Sequence, residues 1–342
     1  MLRLNKHIST IVRGISTKEL VYTEYGDPSK VIKLVEREIG DLPTGHIHVK
    51  WLASPINPAD INQIQGVYPV KPPFPAVGGN EACGEIVQVA DGVQGWKVGQ
   101  RVIPSRSGLG CWRTDSFHTP GELFPIESGL SLEHSATLQV NPPTAYRMLH
   151  DFVKLKPGDT VIQNGATSAV GRAAIQICKI LGIKTVNIVR KKDDLQKTVD
   201  ELTALGADLV ITEEQLLREY KGKIRDVALA LNCVGGRSTL FLANTLRHKG
   251  YMVTYGGMSK QPLQIPTGPF IFKDIVLTGF WMSRWYEIPE NMQERHNMYS
   301  QLSKWIKEGK LEHPNFQRRS LDEHPEALET ATNFIHKQLF IF

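Results

Sequence analysis

The chain is 342 residues long, 41% apolar and 22% charged, as expected of a folded soluble protein large enough for two domains. No stretch approaches the roughly 18 uninterrupted apolar residues that a membrane-spanning helix needs, so a helical membrane protein is excluded. The formal charge of +5 is concentrated in residues 1–18, where Arg3, Lys6, Arg13 and Lys18 occur without any Asp or Glu; the remainder is nearly neutral, which argues against a nucleic-acid-binding surface.

In chain order, that basic segment also carries Ser9, Thr10, Ser16 and Thr17. This is the composition of a mitochondrial transit peptide, with a frayed surface terminus as the plainer alternative. Residues 19–145 are rich in Gly and Pro, with turn signals at Gly26-Asp27-Pro28, Pro43-Thr44-Gly45, Asp91-Gly92 and Val98-Gly99. They read as an irregular antiparallel β domain. The cysteines Cys83, Cys111, Cys178 and Cys233 form no CxxC pair, which fits neither a disulfide framework nor a zinc knuckle and suits a reducing compartment such as the mitochondrial matrix.

From Thr160 the pattern becomes a regular alternation of short apolar runs and helix-length stretches. The runs are Thr160–Gln163, Thr185–Val189, Leu209–Thr212, Val227–Leu231, Tyr251–Tyr255 and Ile275–Phe280. They predict an α/β fold, a doubly wound parallel six-stranded sheet of the Rossmann type over residues 146–289. The first helix is marked by Ala173, Ala174, Ile177, Cys178 and Leu181 on one face, with Gly182 in the position of a C-terminal cap. A further helix is expected over Glu290 to Glu308, before a tail ending in Phe340-Ile341-Phe342. The tail is expected to rejoin the first domain, giving one discontinuous domain of 19–145 and 290–342, with a ligand cleft where the sheet's strands end.

The first run leads into Asn164-Gly165-Ala166-Thr167-Ser168-Ala169-Val170-Gly171. A GxGxxG fingerprint would place glycines at 166, 168 and 171, and here those positions hold Ala166, Ser168 and Gly171. Small residues still let the backbone approach a pyrophosphate at a helix N-terminus, although a lone turn of this kind is also an ordinary βα connection. The second run ends Val189-Arg190-Lys191-Lys192, where enzymes using NAD place an acidic residue for the ribose hydroxyls. Arg190 can instead grip a 2′-phosphate, which indicates NADPH; three cations solvating a strand end are the bland alternative. Two later loops, Tyr255-Gly256-Gly257-Met258 and Phe280-Trp281-Met282-Ser283, leave the sheet at the same edge and can reach the nicotinamide half, or are simple turns.

These residues resemble the medium-chain dehydrogenase/reductase superfamily, and within it the zinc-free mitochondrial 2-enoyl thioester reductases. The likeness spans nearly the whole chain after residue 18. It is carried by Ile56-Asn57-Pro58-Ala59-Asp60-Ile61-Asn62, Ile64-Gln65-Gly66, Pro75-Ala76-Val77-Gly78-Gly79-Asn80-Glu81 and Gly108-Leu109-Gly110-Cys111-Trp112-Arg113. Val140-Asn141-Pro142-Pro143-Thr144-Ala145-Tyr146-Arg147-Met148-Leu149 and Leu231-Asn232-Cys233-Val234-Gly235-Gly236 extend it. The resemblance implies a GroES-like first domain and NADPH-dependent reduction of trans-2-enoyl thioesters, carried on coenzyme A or acyl carrier protein, in mitochondrial fatty acid synthesis. It implies a homodimer pairing through the nucleotide domains. It also implies an active-site tyrosine at Tyr68, Asn141 at the nicotinamide end, and Thr167 to Gly171 around the pyrophosphate. Arg190, Lys191 and Lys192 would meet the 2′-phosphate, the two late loops would line the nicotinamide and acyl pocket, and Lys337 would reach back from the tail.

Zinc-dependent members of that superfamily hold their metal with Cys and His. At the corresponding places this chain has Asn57 and Asn80 ahead of Glu81, and the lobe that would carry a four-cysteine zinc site contains Cys111 alone. No metal is therefore expected. Lys71, Arg106, Arg113 and Arg284 are possible rim cations for the phosphates of an acyl carrier, or merely solvated surface charges. A quinone or small-enone reductase would share the cofactor site and is the alternative function; a non-catalytic NADPH-binding protein is a third.

Overall fold

The structure, a computed structural model, describes residues 14–191, 193–333 and 336–342. The chain divides into two compact units, one comprising residues up to Pro125 together with Gln317–Phe342, the other Ile126–Phe316.

The first unit begins with strand β1 (Ile15–Tyr22), helix α1 (Pro28–Val31), β2 (Lys33–Gly40), β3 (Ile47–Pro55) and helix α2 (Pro58–Ile64). Five short strands follow: β4 (Ala76–Val77), β5 (Cys83–Val89), β6 (Arg101–Pro104), β7 (Asp115–His118) and β8 (Leu123–Pro125). Both helices start on proline, whose fixed φ suits a first helical turn, and Asp27 caps α1 by accepting from the Ser29 amide at 3.1 Å. Strand β3 shows the period-2 alternation of a sheet facing a core: Ile47, Val49, Trp51 and Ala53 are all fully buried. Burial of each of the larger three contributes about 2–3 kcal/mol. Strand β3 pairs with β5 and β7, and with a strand from the C-terminal tail, all antiparallel to it, while β1 lies between β2 and β4 in a separate three-stranded sheet.

Strand β1 overlaps the expected leader. Ser16, Thr17 and Lys18 pair with Glu38, Arg37 and Glu36, and Thr17 is buried with its hydroxyl donating to the Asp115 carbonyl at 2.9 Å. Residues 15–18 therefore belong to the fold; residues 1–13 lie outside the described residues.

The second unit opens with α3 (Leu132–Ala136) and α4 (Asn141–Asp151). Strands and helices then alternate: β9 (Thr160–Asn164), α5 (Ala169–Leu181), β10 (Lys184–Val189), α6 (Leu195–Leu205), β11 (Leu209–Thr212), α7 (Glu213–Arg218), β12 (Val227–Asn232), α8 (Ser238–Thr245), β13 (Leu246–Thr254), α9 (Thr267–Phe272) and β14 (Val276–Gly279). The six strands are parallel, in the order β11-β10-β9-β12-β13-β14. This is the doubly wound order, which reverses direction between β9 and β12. Every residue of β12 is buried, as a strand covered on both faces requires. Helix α5 ends at Gly182 with φ 69°, the left-handed cap read from the sequence.

Helices α10 (Met282–Tyr286) and α11 (Met292–Lys307) complete this unit. The expected boundaries at 145/146 and 289/290 differ from these units because α4 packs on α5, and α11 buries Met298, Tyr299, Leu302 and Trp305 on its way across α4. Only the tail returns to the first unit. There β15 (Phe316–Arg319), α12 (His324–Thr332) and β16 (Lys337–Ile341) extend the sheet beyond β3, and Phe340 meets the Trp112 ring at 5.5 Å in the core.

Candidate functional site

The turn between β9 and α5 sits where the strand order reverses. Gly165 has φ 62°, and a Cβ there would lie 2.3 Å from the Cys233 sulfur, so both backbone shape and space demand glycine. At Gly171 a Cβ would come within 2.7 Å of the Ala166 carbonyl, which keeps the helix close against the strand. The first-turn amides of a helix have no intrahelical acceptors. Ser168 takes one of them, its hydroxyl accepting from the Gly171 amide at 3.0 Å, and Ala169 and Val170 carry the next two. Thr167 is exposed at the tip. Short side chains, a helix N-terminus and its positive end of the peptide dipole together fit a dinucleotide pyrophosphate.

Beneath this turn, Asn164 and Asn232 end the two strands on either side of the reversal. Asn164 Nδ2 donates to Asn232 Oδ1 at 2.8 Å and to Ser238 Oγ at 3.1 Å, and Asn164 Oδ1 accepts from the Cys233 amide at 2.8 Å. Asn232 Oδ1 also accepts from the amides of Val234 and Gly235, at 3.2 and 3.0 Å. Asn232 Nδ2 donates to Thr254 Oγ1 at 3.1 Å. One carboxamide pair thus ties the loops after β9 and β12 to the end of β13. Neither asparagine was among the site residues expected from sequence; the signal was an Asn closing each of two apolar runs.

At the end of β10, Arg190 and Lys191 are exposed, and Lys191 Nζ lies 3.3 Å from Glu214 Oε2. Lys192 lies outside the described residues. The loop Tyr255–Met258 is stitched to the loop after β12: the amides of Tyr255 and Met258 donate to the Asn232 and Cys233 carbonyls at 3.0 and 2.9 Å. A Cβ at Gly256 would meet that Cys233 carbonyl at 3.1 Å. The Tyr255 phenol is buried beside Cys233 and Ser168, and burial pushes its pKa well up. Phe280 follows β14, its amide donating to the Thr254 carbonyl at 2.9 Å, and Trp281 then caps α10 ahead of Met282 and Ser283. The structure therefore gathers residues 167–171, 190–191, 255–258 and 280–283 along the carboxyl edge of one sheet, with Asn141 at the start of α4.

Tyr68 and Lys337 belong to the other unit. Tyr68 is half-buried in the loop after α2. That loop turns at Gly66, φ 76°, where a Cβ would strike the Tyr25 ring at 2.7 Å. Lys337 begins β16 beside a buried polar cluster built on α2 and the segment before β5. Asp60 accepts from the Asn57 amide at 2.7 Å and from the Asn80 amide and side chain at 2.9 and 2.8 Å. Asn57 Nδ2 donates to Glu81 Oε2 at 2.7 Å, and Asn80 Nδ2 also donates to Gln63 Oε1 at 2.9 Å. Burial pushes Asp60 up to about 6 against those hydrogen bonds. Burial lowers Lys337, opposed by the charges of Glu81 and Asp60. Among the described residues no group of three or more His, Cys, Asp or Glu is placed to hold a metal ion. Of the possible rim cations, Arg106 pairs with Glu122 at 3.0 Å, Arg113 with Glu19 at 3.4 Å and Arg284 with Glu287 at 3.4 Å.

Residues 43–123 match the alcohol dehydrogenase GroES-like domain, and residues 169–297 the zinc-binding dehydrogenase family. Over 100% of this chain and 99% of the relative, it is 56% identical to the mitochondrial enoyl-acyl-carrier-protein reductase of Caenorhabditis elegans. Among solved structures it is similar to a complex of Etr1p with NADP and crotonyl-CoA, at TM-score 0.90 and 35% identity, with 96% of this chain and 100% of that one covered. The mitochondrial 2-enoyl thioester reductase heterodimer Etr1p/Etr2p of Candida tropicalis gives the same TM-score of 0.90, 35% identity and coverage of 96% and 100%.

Proposed function

The chain belongs to the family of mitochondrial enoyl-acyl-carrier-protein reductases, and from that premise we propose how its own residues divide the work. It is a mitochondrial oxidoreductase that reduces trans-2-enoyl thioesters to saturated acyl thioesters with NADPH. The observation that carries the residue assignment is the glycine-built turn from Gly165 to Gly171 at the strand reversal, with Arg190 exposed at the end of the adjacent strand.

Thr167 to Gly171 receive the pyrophosphate, with the Ala169 and Val170 amides as donors. Arg190, with Lys191 and Lys192, meets the 2′-phosphate, which a carboxylate in that place would repel. Asn141, Tyr255–Met258 and Phe280–Ser283 hold the nicotinamide end and border the acyl group. Bound NADPH supplies the hydride that adds to C3 of the enoyl group. As it does so, negative charge grows on the thioester oxygen, and a donor aimed there stabilises the transition state more than the ground state. Tyr68 is that donor, through its phenol O–H, and can pass a proton to C2. The thioester carbonyl polarises the double bond itself, so the step calls for no Lewis acid.

The test is consumption of NADPH by the full-length protein on addition of crotonyl-CoA, beside a simple quinone. Turnover of crotonyl-CoA at a rate well above the quinone supports the reading. A folded, NADPH-binding protein that turns over only the quinone would transfer the assignment to a quinone reductase, and no turnover of either would end it.

The working form is proposed to be a homodimer. Strand β14 is the outer strand of its sheet, and α9 just before it exposes Phe270, Ile271 and Phe272 at 51, 61 and 83% of their surface. A second copy of this chain covers that face and its strand edge. Sedimentation at twice the chain mass of 38.3 kDa supports the dimer, and sedimentation at the single mass removes it.

A further inference from the structure

Asn141, at the start of α4, and the loop Phe280–Ser283, leading into α10, are both assigned above to the nicotinamide end, yet they are distant in sequence and neither strand order nor register sets one against the other. Helix α10 does so through side chains. The Tyr286 hydroxyl donates to the backbone carbonyl of Gln139 at 2.7 Å, two residues before Asn141. Tyr299 of α11 donates to the same phenol oxygen at 2.7 Å. A hydroxyl has one proton, so the bond from Tyr299 leaves that of Tyr286 committed to the Gln139 carbonyl. Gln139 is buried, and its side-chain Oε1 has no hydrogen-bond partner among the described residues, so its backbone carbonyl is the tether.

The ring of Tyr286 is itself fixed. The Arg295 guanidinium of α11 lies 4.2 Å from its centroid, and the Arg147 guanidinium of α4 lies 4.6 Å from the neighbouring Trp285 ring. Arg147 pairs with Asp151 on its own helix and with Glu294 of α11 at 3.5 Å. Asn291 Nδ2 holds the Trp285 carbonyl at 2.9 Å, and Phe152 at the end of α4 meets Phe280 edge-on at 5.9 Å. Segments 139–152 and 280–286 are thus braced at three places, and the Tyr286 hydroxyl is the brace beside Asn141.

We propose that Tyr286 is a positioning residue for hydride delivery: its hydroxyl sets the spacing between Asn141 and the Phe280–Ser283 loop, and through them the placement of the nicotinamide ring. The proposal rests on the reductase reading above. Misplacing a reacting group by about 1 Å can slow a reaction by about 100-fold, whereas the adenosine half, held at the other strands, does not depend on this contact.

The experiment uses the full-length enzyme and Tyr286→Phe, which keeps the ring and loses the proton. Wild-type turnover of crotonyl-CoA is established first; its absence ends the reductase reading before any variant is compared. The expected result for Tyr286→Phe is a kcat lower by about ten-fold and a larger isotope effect with NADPH deuterated at C4. Its KM for NADPH and its affinity for 2′,5′-ADP should stay within about two-fold of wild type. An unchanged kcat and isotope effect overturn the proposal, and so does a fall in 2′,5′-ADP affinity as large as the fall in kcat, which marks general loosening. Tyr299→Phe retains the bond to Gln139 while freeing its orientation, so its kcat should lie between the two with a raised isotope effect. Should Tyr286→Phe not fold, a Tyr299→Phe enzyme indistinguishable from wild type overturns the proposal.

Discussion

Each unit buries a pair of asparagines beside its expected ligand residues, and the two pairs sit in opposite electrostatic settings. Asn164 and Asn232 bond to each other, to hydroxyls and to backbone amides. Asn57 and Asn80 bond to the carboxylates of Glu81 and Asp60, with Lys337 coupled to both acids. The neutral pair gives the turn from Gly165 to Gly171 a scaffold that holds its shape without titrating. The ionic cluster gives the first unit a buried charge balance near the tyrosine-bearing segment, and so a dependence on pH. One arrangement suits binding of a constant anion; the other suits a step in which charge changes.

The sharpest way to break this division is Tyr68→Phe. If the first unit supplies the charge-handling chemistry, kcat on crotonyl-CoA falls by about 100-fold or more while NADPH affinity stays near wild type. A folded variant with full kcat would remove Tyr68 from the reaction. Next comes Asn164→Ala, which strips partners from the buried Asn232 side chain and the Cys233 amide together. Urea unfolding should show a loss of about 3 kcal/mol, with weaker NADPH binding by the folded fraction; unchanged stability would mean that the neutral pair is not the scaffold described. Arg190→Glu should raise the KM for NADPH by about 30-fold and change that for NADH far less. Equal effects on the two cofactors would leave the run Arg190–Lys192 as ordinary solvated surface.

The smallest effect concerns pH, where the units should diverge. Asp60 is pushed up to about 6 from 3.8 by burial, so the folded state holds its proton more tightly than the unfolded chain, and its contribution to stability falls as pH rises from about 4 to 6. In the second unit His134 is pushed down to about 4 from 6.5, by burial and by the adjacent His313. The unfolded chain takes up that proton more readily, so His134 contributes fully above pH 6.5 and the contribution is lost as pH falls toward 4. After allowance for solvent screening this is about 1–2 kcal/mol. The urea midpoint of wild type relative to that of His134→Gln should therefore rise as pH goes from 5 to 7. Parallel curves would place the acid sensitivity elsewhere.

Much of the second unit was legible in the sequence because its signals are local. Six apolar runs at helix-length spacing specify the strands, and they differ from the observed ones mainly at β13, which starts at Leu246 rather than Tyr251. Arg190 stands at a fixed distance from Gly171, so its place at the exposed end of β10 could be read from spacing as well. Ser168 was legible as a small residue but not as the cap of α5, which depends on its rotamer. The division of the C-terminal region was less legible. The helical pattern of 292–307 shows an apolar face without naming what covers it, and that face packs against α4.

By itself, then, the sequence determined the periodicities, the small-residue turn, the basic end of β10 and the replacement of metal-ligating residues by carboxamides. Tertiary structure alone decided which distant polar groups meet: Asn164 with Asn232, Asp60 with Asn80 and Lys337, Tyr286 with the Gln139 carbonyl. The reason is physical. Hydrophobic periodicity is imposed by the geometry of a single helix or strand and recurs within a few residues, whereas a buried hydrogen bond takes its partner from whatever chain closure brings within about 3 Å.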